Sequence, residues 1–289
     1  MGMSTRNGWL LYDEQDFAVN RDFAELVHRE GERLGLCIRP VLTYELPLRA
    51  GRDEGFLVLA NGREVSRPEF VISRQRNPNI SDQLEAVGIP VFNNAKVCRL
   101  CNDKRRTITF LEGFPMMPGK FVLPTDPLYP PAGTAYPVIL KPAGGHGGDR
   151  VLWADNDAQW QAAAQRIAPD PIVQQEVADN IGKDLRVYIV FGKIVGAVMR
   201  TAKQGFISNF KKGGQAAWHV LTAQEHDLAM RVVHRFSQEN AELCLAGVDF
   251  LYHQGNPVIG EVEDVVGSRM LYHVSDVNIV RLFLEALPV

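Results

Sequence analysis

The 289-residue chain is poor in cysteine, with only Cys37, Cys98, Cys101 and Cys244. Four cysteines in a chain of this length cannot staple a disulfide scaffold. Cys98 and Cys101 form a C-x-x-C, but Cys37 and Cys244 are isolated, so the second pair of ligands that a zinc site needs is missing. A redox C-x-x-C opens a helix after a strand. This pair falls within 95–103, which reads as helix already under way, so two small packing residues are expected. No apolar run approaches the ~18 residues of a spanning helix. The first twenty residues hold no long apolar stretch and no small-residue cleavage pattern, so a secretory leader is not expected and a cytoplasmic location is. A strong excess of one charge is also missing: Lys plus Arg is 31, Asp plus Glu is 34, and the net charge is -3. Neither nucleic acid nor a membrane is therefore an expected partner, which leaves room for a local basic pocket. No G-x-G-x-x-G follows the first strand, and there is no internal repeat or low-complexity tract.

What remains is the composition of a globular chain, 46% hydrophobic and 22% charged, long enough for two or three lobes. The first part alternates strand and helix. Segments 9–12, 36–42, 56–59, 70–73 and 89–92 read as strands; 17–34 and 82–87 read as helices. That rhythm predicts a small parallel sheet covered by helices. Seven prolines between Pro115 and Pro137 predict an ordered loop or linker. Beyond it, strands are expected at 137–142, 150–153, 172–177, 185–191, 194–200, 247–252 and 257–262, with helices at 157–167 and 278–287. Gly192-Lys193 and Gln254-Gly255-Asn256 mark hairpins. Thr222 to Glu225 is a capping box opening a helix with the stripe Leu228, Val232, Phe236. The fold class is α/β in front and α+β behind.

Three constellations carry chemistry. Lys141 ends a strand and is followed by Gly144, Gly145, His146, Gly147 and Gly148. Such a loop lets backbone N–H groups approach phosphate oxygens with a lysine beside them, or is simply a flexible surface hairpin. Asp249 lies on one strand, with Glu261 and Glu263 two apart on the next. Carboxylates at that spacing share a sheet face, where they hold a hard cation such as Mg²⁺ or form a solvated acidic face. Lys104, Arg186, Arg200 and Arg269 are cations of a kind that binds phosphate or carboxylate, or else ordinary surface charges. His146 is expected to be a loop residue, Lys211-Lys212 a solvated hairpin tip, and Trp153, Trp160 and Trp218 packing residues.

The order of these pieces resembles the ATP-grasp superfamily and, within it, the RimK-like carboxylate–amine ligases. The carriers are Val91-Phe92-Asn93-Asn94, Cys101-Asn102-Asp103-Lys104, Leu140-Lys141-Pro142 with its glycines, Gln175-Glu176-Val177 and Asp184-Leu185-Arg186-Val187. They continue through 208–214, Ala246-Gly247-Val248-Asp249 and Glu261-Val262-Glu263. The resemblance implies an ATP-grasp fold behind an N-terminal Rossmann-like domain, divided at 1–94, 95–176 and 177–289. It implies that Lys104, Lys141, Gly144, Gly145, Gly147 and Gly148 surround the phosphates of ATP. Glu176 and Val177 would meet the adenine and Asp184 the ribose. Asp249, Glu261 and Glu263 would hold Mg²⁺, with Mn²⁺ as the alternative. Arg186, Arg200 and Asn209 would act at the γ-phosphate and acyl group, and Arg74 and Arg269 on substrate. The implied reaction joins a carboxylate to an amine through an acylphosphate, on an amino acid, small peptide or related metabolite, releasing ADP and phosphate. A nucleotide-binding regulator without turnover and a phosphotransferase are the alternatives, and a homo-oligomer is expected. Two positions depart from the pattern: Glu263 stands where Asn is usual, and Asp264-Val265-Val266-Gly267 replaces a Ser-Pro-Gly-like turn near the acceptor.

Overall fold

The computed structural model describes residues 6–46, 57–58, 64–65, 67–124, 128–148, 150–203, 205 and 214–289. The first unit contains β1 (Arg6–Tyr12), α1 (Glu14–Val19), α2 (Arg21–Arg33), β2 (Leu36–Leu42), a ribbon of β3 (Leu57–Val58) and β4 (Glu64–Val65), then β5 (Phe70–Ser73), α3 (Pro78–Ala86) and β6 (Val91–Phe92). Its sheet has the order β2-β1-β5-β6 with every pairing parallel, as the alternating pattern predicts. The chain leaves β1 toward one side and β5 lies on the other. The crevice at the carboxyl ends of β1 and β5 is therefore where such a sheet exposes residues to a ligand. Asp16 and Asn20 after β1, and Arg74 and Arg76 after β5, line a cavity there. The helix expected over 17–34 is two helices broken at Asn20, whose side-chain Nδ2 donates to the Asp16 carbonyl.

α4 (Ala95–Cys101) and α5 (Lys104–Phe110) follow, each capped as side-chain chemistry dictates. Asn94 accepts from the Val97 N–H and Asp103 from the Arg105 N–H. Cys98 and Cys101 are buried helical residues, and burial raises both thiols, consistent with packing rather than redox chemistry. The Pro-rich stretch corrects one expectation. It contains a strand, β7 (Gly119–Val122), because Pro118 and Pro124 flank the segment without interrupting its N–H groups. β7 is an edge strand, paired only with β10. With β8 (Val138–Pro142), β9 (Leu152–Ala154), α6 (Asp157–Ile167) and β10 (Ile172–Glu176) it forms an antiparallel sheet of order β7-β10-β8-β9.

The last unit has β11 (Lys183–Val190), β12 (Lys193–Thr201), β13 (Gln215–Trp218), α7 (Ala223–Ser237), β14 (Leu245–His253), β15 (Asn256–Glu263), α8 (Arg269–Val274) and α9 (Ile279–Glu285). The strands form an antiparallel sheet of order β13-β12-β11-β14-β15. The hairpin turn at Gln254-Gly255 stands where expected, whereas the other, expected at Gly192-Lys193, lies one residue earlier at the left-handed pair Phe191-Gly192, because Lys193 already opens β12. The sheet is buried on both faces. Leu185, Val187 and Ile189 point into a core with α7 and with Val97, Cys101 and Leu111 of the 95–111 segment. Tyr188 and Val190 point the other way, into a core shared with Leu10 and Val27 of the first unit and Phe283 of α9. That second core locks the first sheet against the last one and fixes where Arg74 stands. Of the three tryptophans expected to pack, only Trp160 does so fully. Trp153 lines the cavity, and Trp218 is 45% exposed on an edge strand. Among the described residues, no helix is long and apolar enough to cross a membrane.

Candidate active site

One cavity of ≈ 470 Å³ opens where the three sheets meet, and it gathers nearly all the expected site residues. Asn209 and Lys211-Lys212 lie outside the described residues. Strand alternation brings the acids together. Asp249 on β14 is paired with Arg186 on β11 and with Glu261 on β15, and cross-strand partners share a face. One carboxylate oxygen each from Asp249, Glu261 and Glu263 lie within 4.8 Å of one another. All three donors are hard oxygens, suited to Mg²⁺ or Mn²⁺ and not to a soft metal.

Those acids are matched by cations. Arg186 donates from Nε to Asp249 Oδ1 at 2.8 Å and from Nη2 to Oδ2 at 2.6 Å, and its Nη2 lies 2.8 Å from Glu263 Oε2. Arg200 bridges Asp184 and Asp249, donating from Nη2 at 2.6 Å to each. Lys104 pairs with Glu261 at 3.0 Å and also donates to the Gly145 carbonyl. Burial would raise the Asp249 carboxyl, but the Arg186 and Arg200 guanidiniums hold it at about 2. Burial likewise works against the charge on Glu261, and Lys104 and Lys141 overcome it and lower that carboxyl. Glu263 is raised: burial is reinforced by Asp249 and Glu261 beyond what Arg186 offsets. A cation between the three acids would relieve that repulsion, so the residues present fit a divalent metal. Lys141 is pushed down to about 8 by burial, with Lys104 adding to the effect and Glu261 opposing it.

The glycine loop lines the same cavity, with Gly147 and Gly148 left-handed at φ 68 and 73°. A side chain at either is strained by its backbone alone. At Gly145 a Cβ would stand 2.4 Å from Pro142 Cγ. Glu176, Val177 and Asp184 line the cavity too; Asp184, expected at a ribose, is engaged by Arg200.

The end facing the first unit is different. Arg74 is 3% exposed, donates from Nη2 to the Val266 carbonyl at 2.8 Å, and lies over the Phe23 ring at 4.6 Å. Its Nε and Nη1 have no hydrogen-bond partner. Arg269 is exposed at the first residue of α8 and borders the same space. Arg76 pairs with Asp16. Asp264 is buried and receives the Asn102 Nδ2 at 2.9 Å, and burial pushes its carboxyl up to about 7. Asp16, Arg76, Asn102 and Asp264 were not marked as site residues by the motif reading. The signal for Asp264 was its place directly after Glu263, in the turn that departs from the usual pattern.

The model of the RimK-like ATP-grasp domain matches residues 126–287, more than half of the chain. Similar proteins include a "Probable alpha-L-glutamate ligase" of Parasynechococcus marenigrum, 28% identical over 91% of this chain. The chain spans 58% of that relative's length. One of the same description from Legionella pneumophila is 26% identical over 70% of this chain and 68% of its own. Among solved structures, D-alanyl-alanine synthetase A from Vibrio cholerae superposes with a TM-score of 0.73 at 14% identity, covering 98% of this chain and 97% of that one. A RimK domain protein ATP-grasp from Sphaerobacter thermophilus gives 0.70 at 16% identity, covering 96% and 98%. At these identities the two structures show the fold alone, the one in which ATP-grasp ligases are built. With the family model covering the glycine loop, both hairpins and the acidic cluster, the chain belongs to the RimK-like ATP-grasp family.

Proposed function

We propose that this chain is an ATP-dependent ligase that joins a carboxylate to an amine through an acylphosphate, releasing ADP and phosphate. The observation that carries this reading is the site's charge balance. Four carboxylates, Asp184, Asp249, Glu261 and Glu263, interlock with Arg186, Arg200, Lys104 and Lys141 beside a glycine loop in one cavity. No nucleophile–base pair is needed for such chemistry, which depends on positioning and on screening charge. The names of the curated relatives support an amino acid among the substrates.

In the first step a substrate carboxylate oxygen bonds to the γ-phosphorus, the bond from phosphorus to the β–γ bridging oxygen breaks, and ADP leaves. In the second, the amine bonds to the acyl carbon, phosphate leaves with the acyl–oxygen electron pair, and the amine gives up a proton. Lys141 and Lys104 hold the phosphates, and the backbone N–H groups of 144–148 close over them. Arg200 and Arg186 face the transferring group. Asp249, Glu261 and Glu263 would hold Mg²⁺, which supplies charge neutralisation between triphosphate and carboxylate. The loop excludes water, which would otherwise hydrolyse the acylphosphate.

Hydroxylamine tests the reading, because as a small neutral nucleophile it traps an acylphosphate without needing the acceptor pocket. The protein is incubated with Mg-ATP, hydroxylamine and a pool of N-acetylated amino acids and short peptides. ADP and a hydroxamate, both dependent on the pool, are the expected products. AMP with pyrophosphate would replace the mechanism by adenylation. A stable phosphate ester would make the chain a phosphotransferase, and nucleotide binding with no product would make it a regulator.

A further inference from the structure

We propose that Asp264 and Arg74 form a two-point recognition subsite for a zwitterionic amino acid, Asp264 taking its ammonium group and Arg74, assisted by Arg269, its carboxylate. This rests on the ligase reading and names the class of one of its two substrates.

Asp264 is 5% exposed, yet it lines the cavity. Its position is rigid. Its carbonyl accepts from Asn93 Nδ2 at 2.9 Å, and its Oδ1 accepts from Asn102 Nδ2 at 2.9 Å. Asn102 is held in turn by the Cys98 carbonyl at 2.9 Å. Of the two arginines near Asp264, Arg76 is paired with Asp16, and Arg74 donates to the Val266 carbonyl and not to the Asp264 carboxylate. Among the described residues Asp264 forms no ion pair, unlike Asp249, Glu261 and Glu263, each of which has a cation within 3.0 Å. A buried carboxylate in that state is costly unless a cation completes it.

Arg74 is its complement. Its Nε and Nη1 are buried without acceptors, and a guanidinium left in that state loses solvation with nothing in return. It is tied to the same turn as Asp264 through Val266. Arg269, three residues after Val266, carries a charge free of any ion pair among the described residues. Asp264, Arg74 and Arg269, none of them in an ion pair among the described residues, thus border one end of the cavity, next to the acids of the proposed transfer site. A free amino acid carries both complementary charges on one carbon. An internal residue of a peptide carries neither.

The test is binding, read separately from turnover. The protein with Mg²⁺ and ADP is titrated with each free L-amino acid, its α-amide and its N-acetyl derivative, following the thermal midpoint. At least one free amino acid is expected to bind about tenfold or more tightly than either derivative, the scale of one hydrogen bond to a charged group. Asp264→Asn keeps an acceptor for Asn102 and is expected to abolish discrimination against the N-acetyl form while keeping that against the amide. Arg269→Gln, at an exposed position that tolerates change, is expected to weaken only the discrimination against the amide. No free amino acid binding, derivatives binding equally well, or both discriminations surviving both substitutions overturns the subsite. Hydroxamate formation separates the two ideas. Trapped acylphosphate without amino-acid discrimination sinks the subsite and leaves the ligase. Discrimination without acylphosphate sinks the ligase and leaves the subsite.

Discussion

Replacing Arg186 by Gln tests whether the acids are held together by charge compensation. Arg186 is 5% exposed, makes two hydrogen bonds to Asp249 and one ion pair to Glu263. Removing it leaves the buried Asp249 and the half-buried Glu263 facing Glu261, with Arg200 still paired to Asp249. Breaking a buried pair by deleting one partner costs about 3–5 kcal/mol. Unfolding entropy of about 2.1 cal/mol/K per residue makes roughly 0.6 kcal/mol/K for a chain of this length, so the midpoint should fall by about 5–8 °C. Held by the same oxygens, as proposed above, Mg²⁺ would replace the lost positive charge, so the loss should shrink by half or more when Mg²⁺ is present. The sign with pH is set by Asp249, which is depressed from 3.8 to about 2. A depressed carboxyl stabilises fully above its unfolded value, and that contribution is lost as the pH falls through the folded one. The difference between wild type and variant should therefore be full above pH 3.8 and vanish toward pH 2. Differential scanning fluorimetry in EDTA and in Mg²⁺ reads both effects. A fall under ~2 °C, below what 3 kcal/mol would give by the same entropy scale, or an equal fall with and without Mg²⁺, would refute the reasoning.

Asp264 carries the opposite sign: its carboxyl is raised from 3.8 to about 7, so its charge destabilises the fold, and stability present below pH 3.8 is lost as the pH rises through 7. Asp264→Asn should raise the thermal midpoint by up to about 7 °C at pH 8, corresponding to roughly 4 kcal/mol, and change it little at pH 4. Lys141 is depressed to about 8, so fluorescent-nucleotide affinity should decline as the pH rises through 8, and Lys141→Arg should flatten that profile; an unchanged profile would remove Lys141 from the phosphates. Gly147→Ala, at φ 68°, should destabilise by about 1 kcal/mol and raise KM for ATP, whereas Gly144→Ala has room, its nearest neighbour lying at 3.8 Å. Trp160→Phe should cost roughly 1–3 kcal/mol in chemical denaturation, because Gln174 then loses the indole donor at 2.7 Å in a closed core.

Much of the architecture was legible from local pattern. Helix α6 at 157–167, strand β2 at 36–42 and the Thr222–Glu225 capping box stand where periodicity and cap chemistry place them. The acidic cluster was legible as well, because Glu261 and Glu263 differ by two on a strand. Strand β7 was not legible, since prolines outside a strand resemble prolines within a loop. Helix α8 was missed because its six residues, Arg269–Val274, are too few to display a period. Trp153 and Trp218 show that aromatic character alone does not assign burial.

The sequence by itself determined most strands and helices, the turn regions, the glycine loop and the resemblance to the family, because each depends on residues a few positions apart. Tertiary structure decided which charges meet. Arg186 and Asp249 are 63 residues apart, and Arg74 and Val266 are 192 apart. Only sheet register puts the first pair in bidentate contact, and only the core shared by α2, β11 and α9 brings Arg74 to the 264–267 turn. Whether a buried carboxylate ends at about 2, as Asp249 does, or at about 7, as Asp264 does, depends on the cations that packing places beside it. Asp249 lies within β14 and Asp264 directly after β15, and neither local sequence names the cation, 63 residues away for Arg186 and Asp249, that the fold brings to one and withholds from the other.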